Sequence, residues 1–108
     1  MSDLRAYLSD LGPALFRPSR PLSVVQEITA LQHALGRAAR YPVIHVPHPR
    51  LADGSASELG VVTNLCASRE LMTRALGISD HRDAARTLAR RTAAGIAPLD
   101  VGRDDAPV

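Results

Sequence analysis

The stretch VVTNLCASRELMTRALG, residues 61 to 77, decides the fold of this chain. Its two valines predict a short strand that stops at Asn64, and Ser68 then opens a helix that Gly77 closes. Strands that run directly into the N-terminus of a helix often hold ligands in open α/β folds. The junction is therefore either an active site or a structural turn.

The polar side chains of this junction fit both interpretations. In the structural one, Asn64 satisfies backbone groups as the strand turns, Ser68 caps the helix and Arg69 points outward. In the functional one, the same groups bind an anion or the backbone of a partner. The residues alone favour the structural interpretation.

Upstream of the junction, the pattern predicts a short helix and an edge element. Apolar residues recur at helical spacing over residues 2 to 12, where Ser2 is placed to cap the helix. Residues 14 to 17 predict an edge strand or an extended turn, because Pro18 and Pro21 remove two backbone donors from the segment that follows.

The clearest helical pattern runs from residue 24 to residue 40. Ser23 and Gln26 have the spacing of a capping box, and one apolar stripe follows it along the helix. Residues 41 to 47 predict a strand bounded by prolines, and residues 48 to 57 have the composition of a loop. We expect this strand to pair with the strand before Asn64 in antiparallel orientation.

Downstream of the junction, Ser79 or Asp80 caps a last helix that extends to about Ala94. Its thin apolar seam predicts a surface position. Three arginines at intervals of four residues form a basic stripe that is either a solvated face or a contact for phosphates or an acidic protein: Arg82, Arg86 and Arg90. Together the elements predict a small α/β (α+β) domain, a short, mostly antiparallel sheet packed by about four helices.

Composition places further limits on the function. A chain of 108 residues has room for one domain, which we assign to residues 1–95, followed by an extended tail or linker at 96–108. All 13 basic residues are Arg, and their mixing with 11 acids to a net charge of +2 is weak support for nucleic-acid binding. The single cysteine and the absence of a long apolar segment predict a cytoplasmic protein.

Few residues suggest chemistry. His45 and His48 are close in sequence, but strand alternation and the proline between them disfavour a shared metal site. The lone Cys66 is interpreted as a small buried apolar residue rather than a nucleophile. No glycine pattern typical of nucleotide binding and no nucleophile-elbow motif occurs, so we predict no catalytic, cofactor-binding or metal-binding residue in this chain.

The order of the motifs resembles the N-terminal region of UbiD-family decarboxylases. The resemblance rests on four segments: DLRAYL at residues 3 to 8, LFRPSRPLSVVQEI at 15 to 28, YPVIHV at 41 to 46, and the Asn-Leu-x-x-Ser-Arg junction that ends in Ala-Leu-Gly. The sequence departs from the family where AARYP replaces a glycine pair and HVPHP replaces an aromatic-Glu-Asn segment.

The resemblance implies reversible, non-oxidative decarboxylation of aromatic or α,β-unsaturated acids by an enzyme that uses prenylated FMN, a divalent metal and potassium. In the family, the cofactor ligands and the catalytic Glu-Arg-Glu set lie in a central domain downstream of the matched residues. We therefore expect a non-catalytic N-terminal domain or small subunit whose partner is the catalytic large subunit or the downstream domains.

Contact residues for that partner are predicted at the junction and on the stripe: Asn64, Ser68, Arg69, Arg82, Arg86 and Arg90. One alternative is a stand-alone interaction or assembly module derived from such a domain, with the arginine stripe facing an acidic partner. A second is weak nucleic-acid binding.

Overall fold

The computed structural model describes residues 3–105, which form four α-helices and one three-stranded mixed sheet. The helices are α1 (Leu4–Asp10), α2 (Glu27–Arg37), α3 (Arg69–Ala75) and α4 (Ala84–Ala93). The strands are β1 (Leu15–Phe16), β2 (Val43–Val46) and β3 (Val61–Thr63). Short 3-10 turns occupy Gly12–Ala14, His81–Asp83 and Arg103–Asp105. The predicted small α/β domain is confirmed.

The sheet has β2 at its centre, with β1 parallel to it on one side and β3 antiparallel on the other. The antiparallel pairing of β2 with β3 and the edge position of β1 were both predicted. The parallel pair makes the sheet mixed, because α2 carries the chain from β1 back to the start of β2. Parallel strands require such a crossover, whereas β2 and β3 are joined by the loop between them.

Side-chain alternation along β2 divides the core between the two faces of the sheet. Val43 faces α1 and α3, in a cluster with Leu11 and Leu71, while Ile44 and Val46 face α2. Both faces of β2 are covered, so Val43 and Ile44 are fully buried. The result is a sheet between two helical layers, a common way for a small domain to bury both of its faces.

A buried hydrogen bond joins the two helices on the first face. The hydroxyl of Tyr7 in α1 donates to the carbonyl oxygen of Leu71 in α3 at 3.1 Å. Burial raises the pKa of this Tyr7 hydroxyl. The guanidinium of Arg74 also donates to the carbonyl of Asp10 at 2.7 Å, at the end of α1 where helix carbonyls lack partners. The two helices are therefore joined by one side chain from each, Tyr7 of α1 and Arg74 of α3.

The ends of the first two helices differ from the prediction. Ser2 lies outside the described residues, and the side chain of Asp3 caps α1 by accepting from the backbone N–H of Ala6 at 2.8 Å. The helix predicted from residue 24 begins at Glu27, because Gln26 has a left-handed backbone with φ of 65°. Ser23 and Gln26 do not form a capping box.

Glu27 takes over the role expected of that capping box. The backbone N–H of Ser23 donates to the Glu27 carboxylate at 2.6 Å. This bond, and then the one from Arg20, hold the pKa of Glu27 below its ordinary value. The chain therefore enters α2 through a turn closed by the first residue of the helix.

The C-terminal elements are less tightly integrated. Gly77 ends α3 with φ of 67°, a left-handed conformation that costs glycine little. Asp80 caps the 3-10 turn before α4, and α4 has no buried residue, as its thin apolar seam predicted. Residues 96–102 form no helix or strand and are exposed, with Ile96 97% and Leu99 86% accessible.

The molecule is more open than a compact domain of its size. Its radius of gyration is 17.5 Å, against about 13 Å expected for a compact domain of this length. Its accessible surface is 8455 Å², against about 5,800 Å² for a folded monomer of equal mass. Within residues 3–105, no helix combines the length and the apolar character needed to cross a membrane.

Candidate functional site

Asn64 turns the chain at the end of β3. Its backbone has φ of 69°, the left-handed region that asparagine tolerates better than most residues. Its side-chain amide donates to the carbonyl oxygen of Pro42 at 2.8 Å, just before β2 begins. Asn64 therefore fixes the β3–α3 junction against the adjacent central strand.

A polar network connects this junction to α2. Thr63 faces α2 because it pairs with Ile44, and its hydroxyl donates to the Gln32 side-chain oxygen at 3.0 Å. The Gln32 amide in turn lies 3.4 Å from the Asn64 side-chain oxygen. These hydrogen bonds restrict the side chains of Thr63, Gln32 and Asn64, which would otherwise be free to rotate at the surface.

Ser68 acts as the predicted helix cap. Its hydroxyl accepts from the backbone N–H of Leu71 at 3.1 Å. The next residue, Arg69, is exposed in the first turn of α3. The pKa of Glu70 lies below its ordinary value, first because the backbone N–H of Glu70 hydrogen-bonds to the carboxylate and second because the Ser68 side chain does so. The cap is thus a structural element with one charge of each sign beside it.

Two adjoining grooves open at this junction, and both are lined by Tyr41. The first, of about 590 Å³, runs along α2 and is lined by residues that include Thr29, Gln32, His33, Arg37, Tyr41 and Asn64. The second, of about 350 Å³, lies between α3 and the end of the α2 segment, and its lining includes Arg40, Tyr41, Pro42, Ser68, Glu70 and Arg74. We call the two grooves together the Tyr41 surface.

The Tyr41 surface carries an excess of positive charge. Three arginines and one glutamate line it: Arg37, Arg40, Arg74 and Glu70. Tyr41 lies between them with 55% of its surface exposed, although an aromatic ring is usually covered. Of the residues predicted to contact a partner, Asn64 and Ser68 line these grooves, and Arg69 follows Ser68 directly.

The other three predicted contact residues lie elsewhere, on α4 and in the turn before it. Arg82 is in the 3-10 turn, while Arg86 and Arg90 lie one turn apart on α4. Asp80 and Asp83 line the same small pocket as Arg86 and Arg90, so the positive charge there is balanced. The stripe is therefore less basic than its sequence pattern indicated.

Arg91 has a different position from the stripe beside it. Its guanidinium donates to the carbonyl oxygen of Leu76 at 2.6 Å and so connects α4 to the end of α3. A cation at the C-terminus of a helix also interacts favourably with the helix dipole. Arg91 is thus a structural anchor.

The histidines and the cysteine are not arranged for metal binding. His45 is half-buried on β2, its Nδ1 has no partner among the described residues, and burial followed by the charge of Arg17 lowers its pKa. His48 is exposed and contacts the carbonyl of Ser57 at 3.3 Å. Cys66 is exposed in the turn between Asn64 and Ser68, so its interpretation as a buried residue was wrong.

Comparison with known protein families identifies this fold. The family model described as the 3-octaprenyl-4-hydroxybenzoate carboxy-lyase N-terminal domain matches residues 13–92, from the turn before β1 almost to the end of α4. The chain belongs to this UbiD N-terminal domain family. Searches of curated proteins and of solved structures found no match.

The described residues of this UbiD N-terminal domain do not fit a flavin and metal centre. Among residues 3–105, no three His, Cys, Asp or Glu side chains are grouped to hold a metal ion. The grooves of the Tyr41 surface are open to solvent, whereas a cofactor pocket usually encloses most of its ligand. We therefore derive no chemical step from these residues.

Several residues of the UbiD domain's Tyr41 surface were not singled out by sequence reasoning. Gln32, Arg37 and Tyr41 come from a helix and the loop after it, and only the packing of α2 on β3 brings them beside Asn64. The one available signal was Tyr41 itself, since it is among only three aromatic residues in the chain. Arg40 precedes it in sequence, and both tyrosine and arginine are enriched at protein interfaces.

Proposed function

We propose that this chain is the non-catalytic N-terminal domain or small subunit of a UbiD-like carboxy-lyase. It holds the neighbouring catalytic polypeptide in place through the polar groups of the β3–α3 junction. The complete enzyme is cytoplasmic and decarboxylates aromatic or α,β-unsaturated carboxylic acids reversibly, without net oxidation. The observation that carries the proposal is the family match over residues 13–92, which includes both grooves of the Tyr41 surface.

The open shape of the molecule supports a scaffolding role. The chain exposes more surface than a compact monomer, and several large apolar side chains are mostly accessible: Val25, Tyr41, Leu59, Ile96, Leu99 and Val101. Burial of such side chains against another polypeptide would be favourable, because removing apolar area from water stabilises an interface. A partner that covers part of this surface would add the burial that a small domain needs for stability.

The chemistry belongs to polypeptide other than residues 3–105 in this proposal. Prenylated FMN, with a divalent metal and potassium, would be held by the catalytic domain or large subunit. The contribution of this chain is then to position that domain. Specificity for the acid substrate would also be set by the catalytic polypeptide.

Reconstitution tests the proposal. The chain is purified alone and together with the UbiD-like catalytic polypeptide from the same source, and flavin absorbance and release of carbon dioxide are measured. We expect no flavin and no activity from the chain alone, and higher activity or stability of the catalytic polypeptide when both are present. Flavin binding and decarboxylation by the chain alone would contradict the proposal.

The alternative of an independent assembly module makes a different prediction for the same material. It predicts that the chain forms no complex with a UbiD-like catalytic polypeptide and has no effect on its activity, while binding an unrelated protein. Nucleic-acid binding, the remaining alternative, would weaken steeply with added salt.

A further inference from the structure

We propose that the Tyr41 surface is the docking site for an acidic segment of the catalytic polypeptide. This inference rests on the proposed function and names the chemistry of the partner. Arg37 and Arg40 would pair with carboxylates on either side of an apolar residue that packs on the Tyr41 ring.

The position of Tyr41 suits it to be the centre of such a contact. Its ring lies beside Gly36 of α2, where an added methyl group would be at an ordinary contact distance of 3.8 Å from the ring. The hydroxyl lies 3.5 Å from the Gly36 carbonyl oxygen, and more than half of the side chain remains exposed. Tyrosine is enriched among the residues that dominate binding energy at protein interfaces, and this side chain packs beside α2 while much of it stays exposed to a partner.

The charges around Tyr41 determine the partner's chemistry. Arginines line both grooves, and Glu70 is the only carboxylate that lines either of them. In the described part of the chain, neither Arg37 nor Arg40 makes an ion pair, and both are exposed. Two unpaired guanidinium groups beside an aromatic ring are complementary to a segment of opposite charge.

The surroundings of the surface are already ordered. The Gln32 side chain hydrogen-bonds to those of Thr63 and Asn64, and Asn64 also bonds to the backbone before β2. Arg74 is held by the carbonyl oxygen of Asp10. A surface whose walls are fixed before binding loses less conformational entropy when the partner docks.

The arginines near α4 are less suited to the same partner. Arg86 and Arg90 share their pocket with Asp80 and Asp83, which would repel an acidic segment. A nucleic acid is also less favoured at the Tyr41 surface, because a phosphate backbone requires a row of cations and Glu70 lies within the groove. The two arginine sets therefore provide an internal comparison.

A peptide titration of the full chain tests the inference. The probe is a short synthetic peptide with glutamates on both sides of one phenylalanine, and the reference peptide has glutamines in place of the glutamates. Binding is measured by the amide chemical shifts of the isotope-labelled chain and by fluorescence anisotropy of the labelled peptide. A duplex DNA of comparable charge is titrated in parallel.

Two variants with the same change in net charge are compared. Arg37→Glu with Arg40→Glu removes the positive charge of the Tyr41 surface, and Arg86→Glu with Arg90→Glu removes it from α4. All four side chains are exposed, so both variants should fold, and their amide spectra check this. We expect the first variant to lose about tenfold or more in affinity for the glutamate peptide, and the second to lose about twofold or less.

In the wild-type chain, the amides of residues 36–41 and 64–74 should shift on addition of the glutamate peptide, and those of α4 should not. Equal losses in both variants, equal binding of the glutamine peptide, tighter binding of DNA, or self-association of the chain through these residues would each overturn the inference. The titration requires no catalysis. If the glutamate peptide binds but the chain has no effect on the catalytic polypeptide, the proposed function is wrong. The preference of the Tyr41 surface for an acidic segment is still measured in that case.

Discussion

Asn64 has a backbone conformation that is costly for most residues and a side chain that makes a specific hydrogen bond. Its positive φ directs the chain from β3 toward α3, and its amide reaches the Pro42 carbonyl. Asn64 thus contributes through both its backbone conformation and its side chain. The two contributions can be separated because a glycine would adopt the left-handed backbone but lack the side-chain hydrogen bond.

We expect Asn64→Ala to lower the free energy of unfolding by about 2 kcal/mol, since alanine pays for the left-handed conformation and also lacks the hydrogen bond. Asn64→Gly should cost about half as much, because glycine adopts the same φ freely. Urea denaturation of the two variants measures the difference. Equal losses would show that the backbone conformation contributes nothing to the cost.

His45 is the residue whose ionisation should affect stability near neutral pH. Burial, and secondly Arg17, lower its pKa from the ordinary value of 6.5. Because the unfolded chain takes up a proton before the folded one, the stabilisation is present above pH 6.5 and is lost as the pH falls through the lower, folded-state pKa.

His45→Val should therefore reduce the loss of stability between about pH 8 and about pH 5. Valine suits a half-buried strand position and removes the unpaired Nδ1. Thermal unfolding at both pH values measures the effect, with the exposed His48→Val as the control. An unchanged pH dependence in His45→Val would exclude this residue as the cause.

At the scale of elements, the packing of α2 and of the β2–β3 pair places different limits on their glycines. Gly36 is in α2, where an added methyl group would meet only the Tyr41 ring at ordinary contact distance. Gly60 precedes β3, where the methyl group would lie 3.2 Å from the Pro47 carbonyl oxygen. The same substitution therefore has opposite expected effects.

We expect Gly36→Ala to raise the free energy of unfolding by about 0.5–1 kcal/mol, because alanine favours the helix and the site has room for it. Gly60→Ala should lower it by about 1–3 kcal/mol, since backbone atoms of β2 and the following loop must move. Denaturant unfolding of both variants tests the pair. A higher free energy of unfolding for Gly60→Ala would show that the loop accommodates the methyl group without strain.

Element positions were largely predictable, and their ends were not. Periodicity located α2 and β2 because apolar spacing reflects which face is buried. The predicted start of α2 was wrong because Glu27, rather than Gln26, accepts from the backbone N–H of Ser23, while the Ser23 hydroxyl accepts from the N–H of Val25 within the turn. That choice depends on Gln26 adopting a left-handed conformation, which no local sequence preference indicates.

At the scale of the whole molecule, the C-terminal elements are loosely packed, because α4 has no buried residue and residues 96–105 are exposed. We expect small-angle scattering of the isolated chain to give a radius of gyration near 17.5 Å. Truncation after Gly95 should change the free energy of unfolding by less than about 0.5 kcal/mol, since residues 96–105 are exposed. A scattering radius near that of a compact domain, or a large loss of stability on truncation, would show that the tail folds back onto the body.

The candidate site was only partly predictable from the sequence. The junction residues Asn64 and Ser68 were found because strand ends and helix caps have local signatures. The groove walls were not found, because Arg37, Tyr41 and Arg74 come from separate elements and meet only in the folded chain. The arginine stripe was found, but its sequence pattern did not show that Asp80 and Asp83 share a pocket with Arg86 and Arg90.

The sequence by itself determined the small α/β class, the strand-to-helix junction and the resemblance to the UbiD family, because these follow from periodicity, capping residues and motif order. Tertiary structure alone decided the parallel pairing of β1 with β2, the split of the core across two faces of the sheet, and the charge around Tyr41. Those features depend on which distant residues become neighbours. Short-range patterns do not contain that information.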